Sequence, residues 1–161
     1  MWRYTMHNMS PRLIDKLHKH QLAYETIHHP YSITSLNTAH TSHIPAQKLV
    51  KPVILHDRQG YLMALVPSNT YVYLDELNTV LNRQMTLVSE AEVSVLFSDC
   101  DCGAIPPIGD VYDMKTIVDN SLIECTDVYM EAGNHTDVLH LSGDAFHSLT
   151  KNMQHADITV H

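Results

Sequence analysis

The sequence predicts an α+β domain built on a mixed β-sheet. Three observations lead there. Stretches of helical apolar spacing alternate with short β-branched runs, a hairpin signature stands in the first half of the chain, and the later runs need crossovers rather than tight turns. The 161 residues argue for one domain over 1–161, with 1–20 as an N-terminal helical segment. A chain of this size buries roughly two-thirds of its unfolded surface.

Each element has its own signal. Ser10-Pro11 opens a helix, with serine as cap and proline at the first helical position, and Leu13, Ile14 and Leu17 carry it to about His20. Residues 22–28 read as a strand stopped by Pro30, and 32–43 as a helix ended by Ile44-Pro45. The runs 49–56 and 61–66 flank the turn Asp57-Arg58-Gln59-Gly60 and make a hairpin. A short helix is expected near Asp75 and a strand fragment at 86–88. Ser89 and Glu92 form a capping box for a helix that stops near Ser98. Residues 99–110, DCDCGAIPPIGD, are a loop, because paired prolines and two glycines continue neither helix nor central strand. Strands follow at 116–119 and 127–130, a last helix starts at Ser142-Gly143-Asp144, and 157–160 reads as a final strand.

Composition excludes several classes. No apolar run approaches the roughly 20 residues of a membrane span, and the first residues lack the apolar stretch of a signal peptide, so a cytoplasmic protein is expected. Cys100, Cys102 and Cys125 form no disulfide framework. The formal net charge of −8 provides no footprint for DNA, and leaves room only for a local contact such as an RNA end. The 13 histidines stand out, but composition does not say whether they serve metal, protons or neither.

Three features can carry chemistry. Lys51 lies in the apolar strand LVKPVIL, where it is either a snorkelling surface lysine or a cation fixed in a cleft to hold phosphate or polarise a carbonyl. The loop Gly103-Ala104-Ile105-Pro106-Pro107-Ile108-Gly109 is either a stiff connector or a cradle whose N–H groups bind an oxyanion. The turn Gly133-Asn134-His135-Thr136-Asp137 is either a polar turn or a source of proton chemistry at His135 and Asp137.

Four blocks, in order and over roughly residues 22–150, resemble the YbaK / ProX / prolyl-tRNA synthetase editing-domain family: KPVIL its lysine-bearing strand, GAIPPIG its GxxxP loop, TIVDNSLIE a further strand, and DVYMEAGNHTDVLHLSGDAF its closing strand–turn–helix. The resemblance implies a mixed, barrel-like sheet with helices packed around it. It implies hydrolysis of the ester between a mischarged amino acid and the tRNA 3′ end, with tRNA(Pro) carrying alanine or cysteine as the family-level substrate. It also implies prolyl-tRNA synthetase as a partner and no cofactor. Carried over by motif, Lys51, Gly103 and Asp137 are the catalytic positions, and Ile27, His28, Ala104, Ile105, Pro107, Gly109 and His135 the substrate-binding ones. Lys48 and Arg58 are further cations for the CCA end, Tyr24, Tyr31 and Tyr61 candidates for base stacking, and Leu65 a pocket wall beside Ala104 and Ile105. An activated ester needs mainly positioning and oxyanion stabilisation.

Two departures from the family stand out. Pro106 lacks the N–H that family loops often carry there. Ile27, or His28 one position on, stands where cysteinyl-tRNA deacylases carry a tyrosine. Two other functions remain open. One is a tRNA-end-binding module without catalysis. The other is a metal-dependent hydrolase drawing on His28, His29, His135, His140, Cys100 and Cys102, although no strong zinc spacing is present.

Overall fold

The first helix, α1 (Pro11–Lys19), starts where the Ser10 hydroxyl accepts the Leu13 N–H, and buries Leu13 and Leu17. The structure, a computed structural model, describes residues 8–101 and 103–160, so the expected helical segment over 1–20 lies partly outside the described residues. Strand β1 (Glu25–His28) ends ahead of Pro30. Helix α2 (Ser35–Thr41) is shorter than the expected 32–43, because the Thr34 side chain accepts from the Asn37 N–H and sets the cap there.

The expected hairpin is β2 (Leu49–Asp57) and β3 (Gly60–Pro67), in register from Asp57 opposite Gly60 to Val50 opposite Pro67. Then come β4 (Tyr71–Val72), α3 (Leu74–Leu81), β5 (Thr86–Leu87) and α4 (Glu90–Leu96), the last capped by Ser89 as its sequence predicts. The Gly/Pro loop follows, with a 3-10 turn at Gly109–Tyr112. The chain continues through β6 (Lys115–Asp119), α5 (Asn120–Ile123), β7 (Asp127–Glu131), β8 (Asp137–Ser142), α6 (Gly143–Thr150), β9 (Gln154–Ala156) and β10 (Thr159–Val160). The expected final strand at 157–160 is the two-residue β10, which pairs with β4, and β9 ahead of it, which the sequence did not predict, joins the main sheet.

The main sheet runs β1-β8-β7-β2-β3-β6-β9, with β5 also on β2. Three pairings are parallel (β2 with β7, β3 with β6, β6 with β9) and the others antiparallel, so the sheet is mixed as expected. It is an open sheet with edges at β1 and β9, and not a closed barrel. One face carries the largest apolar cluster, including Leu13, Leu17, Met63, Leu65 and Phe146. The other face is split. Leu55, Leu62, Val66 and Ile117 pack with Leu77 of α3, and Leu49 and Val138 pack with Ala39 of α2. Among the described residues no helix is long and apolar enough to cross a membrane.

The central strand β2 is split at one edge, and this split positions the site. β7 pairs with it at Leu49 and Val50, and β5 at Leu55 and His56. Between them, residues 51–53 have a strand partner only on the β3 side. The Ile54 carbonyl points to the open side, where it accepts the Val88 N–H. Pro52, two residues back, faces the same way, so its missing N–H falls where no ladder bond is needed.

Candidate active site

The opening beside β2 is a cleft of about 480 Å³. Lys51 to Ile54 form its floor, Ile33 to Ser35 and Glu90 stand at its sides, and Gly103 and Ile105 close it. Three sequence-predicted positions, Lys51, Gly103 and Ile105, therefore meet at one place. Two larger hollows, of about 790 and 740 Å³, lie elsewhere around Lys16 and Lys151 and around Arg58 and Arg83. Neither contains any of these three residues.

Lys51 stands between the two apolar clusters on its face of the sheet. Its ammonium donates to the Thr70 carbonyl at 2.6 Å and reaches the Ser68 carbonyl at 3.5 Å. It also lies over the Tyr71 ring, 5.1 Å from the centroid. Burial lowers its pKa from the ordinary lysine value. With carbonyls and a ring face but no carboxylate in these contacts, the charge is oriented yet not neutralised. Tyr71 is 73% exposed and was not anticipated. Its sequence signal, one of two tyrosines in the run SNTYVY, is too common to select it.

Gly103 has φ +86°, and a Cβ there would sit 2.8 Å from the Ile33 carbonyl oxygen and 3.5 Å from His135 Cε1. Only glycine lets the loop approach both so closely. The loop is tied to the next turn by Gly133 N–H to Ala104 O (2.9 Å) and Asp101 N–H to Gly133 O (2.8 Å). Ala104 N–H donates to Asp101 O, and Pro106 and Pro107 have none to offer. Among the described residues, the N–H groups of Gly103 and Ile105 are left without partners. His135 is buried beside Gly103, edge-on to Tyr31 with centroids 5.1 Å apart.

Other expected positions lie elsewhere. Asp137 pairs with His28 (3.0 Å) and accepts from Asn134 Nδ2 (2.8 Å). Its neighbour Val138 packs with Leu49 and Ala39, so alternation turns Asp137 and His28 to the opposite face of the sheet, and neither lines the cleft. Ile27, paired with Val138, shares the face of Val138 and does not line the cleft. Ala104 and Leu65 are fully buried, and neither lines the cleft. Gly109 packs against β6, where a Cβ would collide with the Thr116 hydroxyl, and the buried Pro107 serves the same turn. Lys48 is engaged with Asp127 (2.6 Å), and Arg58 lines another hollow. Tyr61 donates to Glu92, and Tyr24 packs on the core. Tyr31, at 59% exposure, remains accessible.

The chain matches the family model of the aminoacyl-tRNA editing domain over residues 29–149. It belongs to that family. The matched span includes the cleft's Lys51, the Gly103 loop and the His135 turn. A curated relative, the proline–tRNA ligase of Thermosipho africanus (strain TCF52B), is 28% identical over 85 residues, which are 53% of this chain and 15% of that one. The editing-domain chain thus spans less than a fifth of that relative's length. A crystal structure of a proposed trans-editing enzyme for prolyl tRNA synthetase superposes with a TM-score of 0.78 at 19% identity, covering 96% of this chain and all of the other. The hypothetical protein APE2540 superposes with a TM-score of 0.81 at 18% identity, covering 92% and 99%. These two likenesses establish the fold of the editing domain.

The histidines and cysteines considered as metal ligands do not converge in threes among the described residues. His140 Nε2 pairs with Asp127 (2.8 Å), His28 with Asp137, and His29 Nδ1 with the Pro30 carbonyl (2.7 Å). Burial pushes the Cys100 thiol up to about 12, which leaves it an inert core group, and Cys102 lies outside the described residues.

Proposed function

We propose that this editing-domain protein hydrolyses the ester of a mischarged aminoacyl-tRNA without a metal. Its substrate is tRNA(Pro) carrying a small amino acid such as alanine or cysteine, and it works in trans alongside prolyl-tRNA synthetase in the cytoplasm. The observation that supports this reading is the meeting in one cleft of an un-neutralised lysine with two residues whose N–H groups have no partner among the described residues. Lys51 contacts the terminal nucleotide or the scissile ester. The N–H groups of Gly103 and Ile105 receive the negative charge that develops on the carbonyl oxygen. A water attacks the carbonyl carbon, the bond to the ribose oxygen breaks, and that oxygen leaves with a proton. His135 fixes the loop from behind, and Tyr71 offers the terminal base an exposed stacking face.

The test is hydrolysis of a panel of mischarged tRNAs, Ala-tRNA(Pro) and Cys-tRNA(Pro) foremost, by the wild type and Lys51→Ala. Loss of roughly a hundredfold in the folded variant is expected, the usual cost of removing one charge-stabilising donor. A wild-type rate in the variant removes Lys51 from the reaction. Tight binding of the tRNA end with no hydrolysis by either protein favours the non-catalytic module, with Pro106 as its cause.

A further inference from the structure

Glu131 is the last residue of β7, and its side chain lies on the Lys51 face of the sheet. The rungs place it there. Glu131 pairs with Val138, Val138 pairs with Ile27, and Lys51 stands one residue beyond the last β2–β7 rung, Val50 with Met130. Ile27, Val138, Glu131 and Lys51 therefore form one row across four strands, ending at the cleft floor. Glu131 is 2% exposed, and neither carboxyl oxygen has a hydrogen-bond partner among the described residues. Burial raises the carboxyl to about 8. The Thr38 hydroxyl of α2 lies near enough to oppose that rise, without making a well-formed bond.

The charged and titratable neighbours are engaged or turned elsewhere. On β2, the Lys51 ammonium points to the carbonyls of Thr70 and Ser68. On β8, Asp137 faces the other side with His28, and His140 pairs with Asp127. On β7 itself, Tyr129 stacks on His140 at 4.4 Å. On α2, His40 is exposed. In the segment before α2, His29 is buried with Nδ1 on the Pro30 carbonyl and Nε2 unpartnered, and in the turn after β7 His135 lies against Tyr31.

A chain of contacts joins Glu131 to the site. Thr38 beside it shares a hydrogen bond of 2.7 Å with Ser32, and the Ser32 N–H donates to the His135 carbonyl at 3.2 Å. His135 and the Ile33 carbonyl both press on Gly103. Ser32, Thr38, Glu131, Asn134 and His135 are all buried, and together they form a polar layer under the cleft wall.

We propose that Glu131 is a positioning residue for the cleft: as a neutral group beneath α2 it lets the Ser32–Thr38 wall close on His135 and Gly103, and loss of its proton to solvent drives that wall apart. A carboxylate in this layer is met among the described residues by no cation, and by at most the Thr38 hydroxyl, so the segment above must open to admit water. The inference rests on the deacylase reading for its catalytic consequence only; the motion of the wall does not depend on it.

The experiment compares wild type with Glu131→Gln, which keeps the shape and cannot ionise, from about pH 6 to about pH 10. Amide exchange of residues 31–38 and deacylation of mischarged tRNA, corrected for spontaneous hydrolysis, are followed together. In the wild type, exchange in this segment rises above its intrinsic pH dependence, and kcat/KM falls about tenfold per pH unit beyond the midpoint. Glu131→Gln shows neither change and keeps its neutral-pH rate into the alkaline range. Identical exchange profiles in the two proteins overturn the proposal. So does a variant with unchanged exchange that is inactive at every pH, because the ionised carboxylate then acts in the reaction itself. If neither protein deacylates, the proposed function fails while the exchange comparison still decides the role of Glu131.

Discussion

Two carboxyl groups are buried on either side of the central hairpin, and their surroundings treat them in opposite ways. Asp119, at the end of β6, is 2% exposed and accepts the N–H of Ile158 (2.9 Å), the N–H of Ser121 (3.2 Å) and the hydroxyls of Thr159 (3.3 Å) and Ser121. It caps α5 and fastens the C-terminal strand to the sheet. Glu131, at the end of β7, is equally buried and accepts nothing among the described residues. A satisfied buried carboxyl contributes to the fold, whereas an orphaned one costs stability and needs another reason to be there. The Glu131 side is also where the cleft opens, whereas the Asp119 side packs Ile117 with Leu77 of α3.

Substitutions can break or sharpen this contrast. The largest effect is expected from Asp119→Ala, which orphans two backbone donors and should lower unfolding stability by about 4 kcal/mol in urea titrations. A loss no larger than that of an ordinary surface change would show that the Asp119 bonds are not structural.

Glu131→Gln should move stability the other way. The folded state raises this carboxyl from 4.5 to about 8, so the native protein holds the proton more tightly than the unfolded chain. Its contribution is fully present below about pH 4.5 and is lost as pH rises through about 8. Glutamine escapes that loss. The variant should therefore match wild type near pH 4 and exceed it by on the order of 4 kcal/mol at pH 8. A constant difference across pH would contradict the burial argument.

Gly103→Ala probes the cleft directly. The positive φ and the 2.8 Å approach to the Ile33 carbonyl should together cost about 2 kcal/mol. Deacylation should fall about tenfold as the wall is displaced. An alanine variant with native stability and kinetics would separate the loop from the site. The smallest effect is expected from Tyr71→Ala. Losing one stacking face should raise KM by roughly fivefold to tenfold, near the low end for a base on an aromatic ring. kcat should change little, and a Tyr71→Phe variant should recover the wild-type KM.

Much of the local structure was legible in the chain. Ser10, Ser89 and Ser142 each cap the helix that follows them, and the hairpin closes around Arg58 and Gln59 as its turn residues require. These interactions span three or four residues, so sequence spacing contains them. The short elements were less legible. α5 has four residues and β9 three, too few for a period to emerge. At the site, Lys51, Gly103 and Ile105 were readable because a lone lysine in an apolar strand and a stiff Gly/Pro loop are unusual features. Asp137 was readable as polar but not as the partner of His28, since that pairing depends on register with β1.

The sequence by itself determined the caps, the hairpin, the loop that cannot be helix or strand, and the order of elements that makes the sheet mixed. The tertiary structure decided the rest: that β7 and β5 leave β2 uncovered at residues 51–53, that Lys51 and Gly103 meet across the opening, and that Glu131 is sealed in with no hydrogen-bond partner among the described residues. The division follows from range. Caps and turns are made by neighbours along the chain, whereas a strand's open edge and the burial of a carboxyl are set by segments roughly thirty to a hundred residues away.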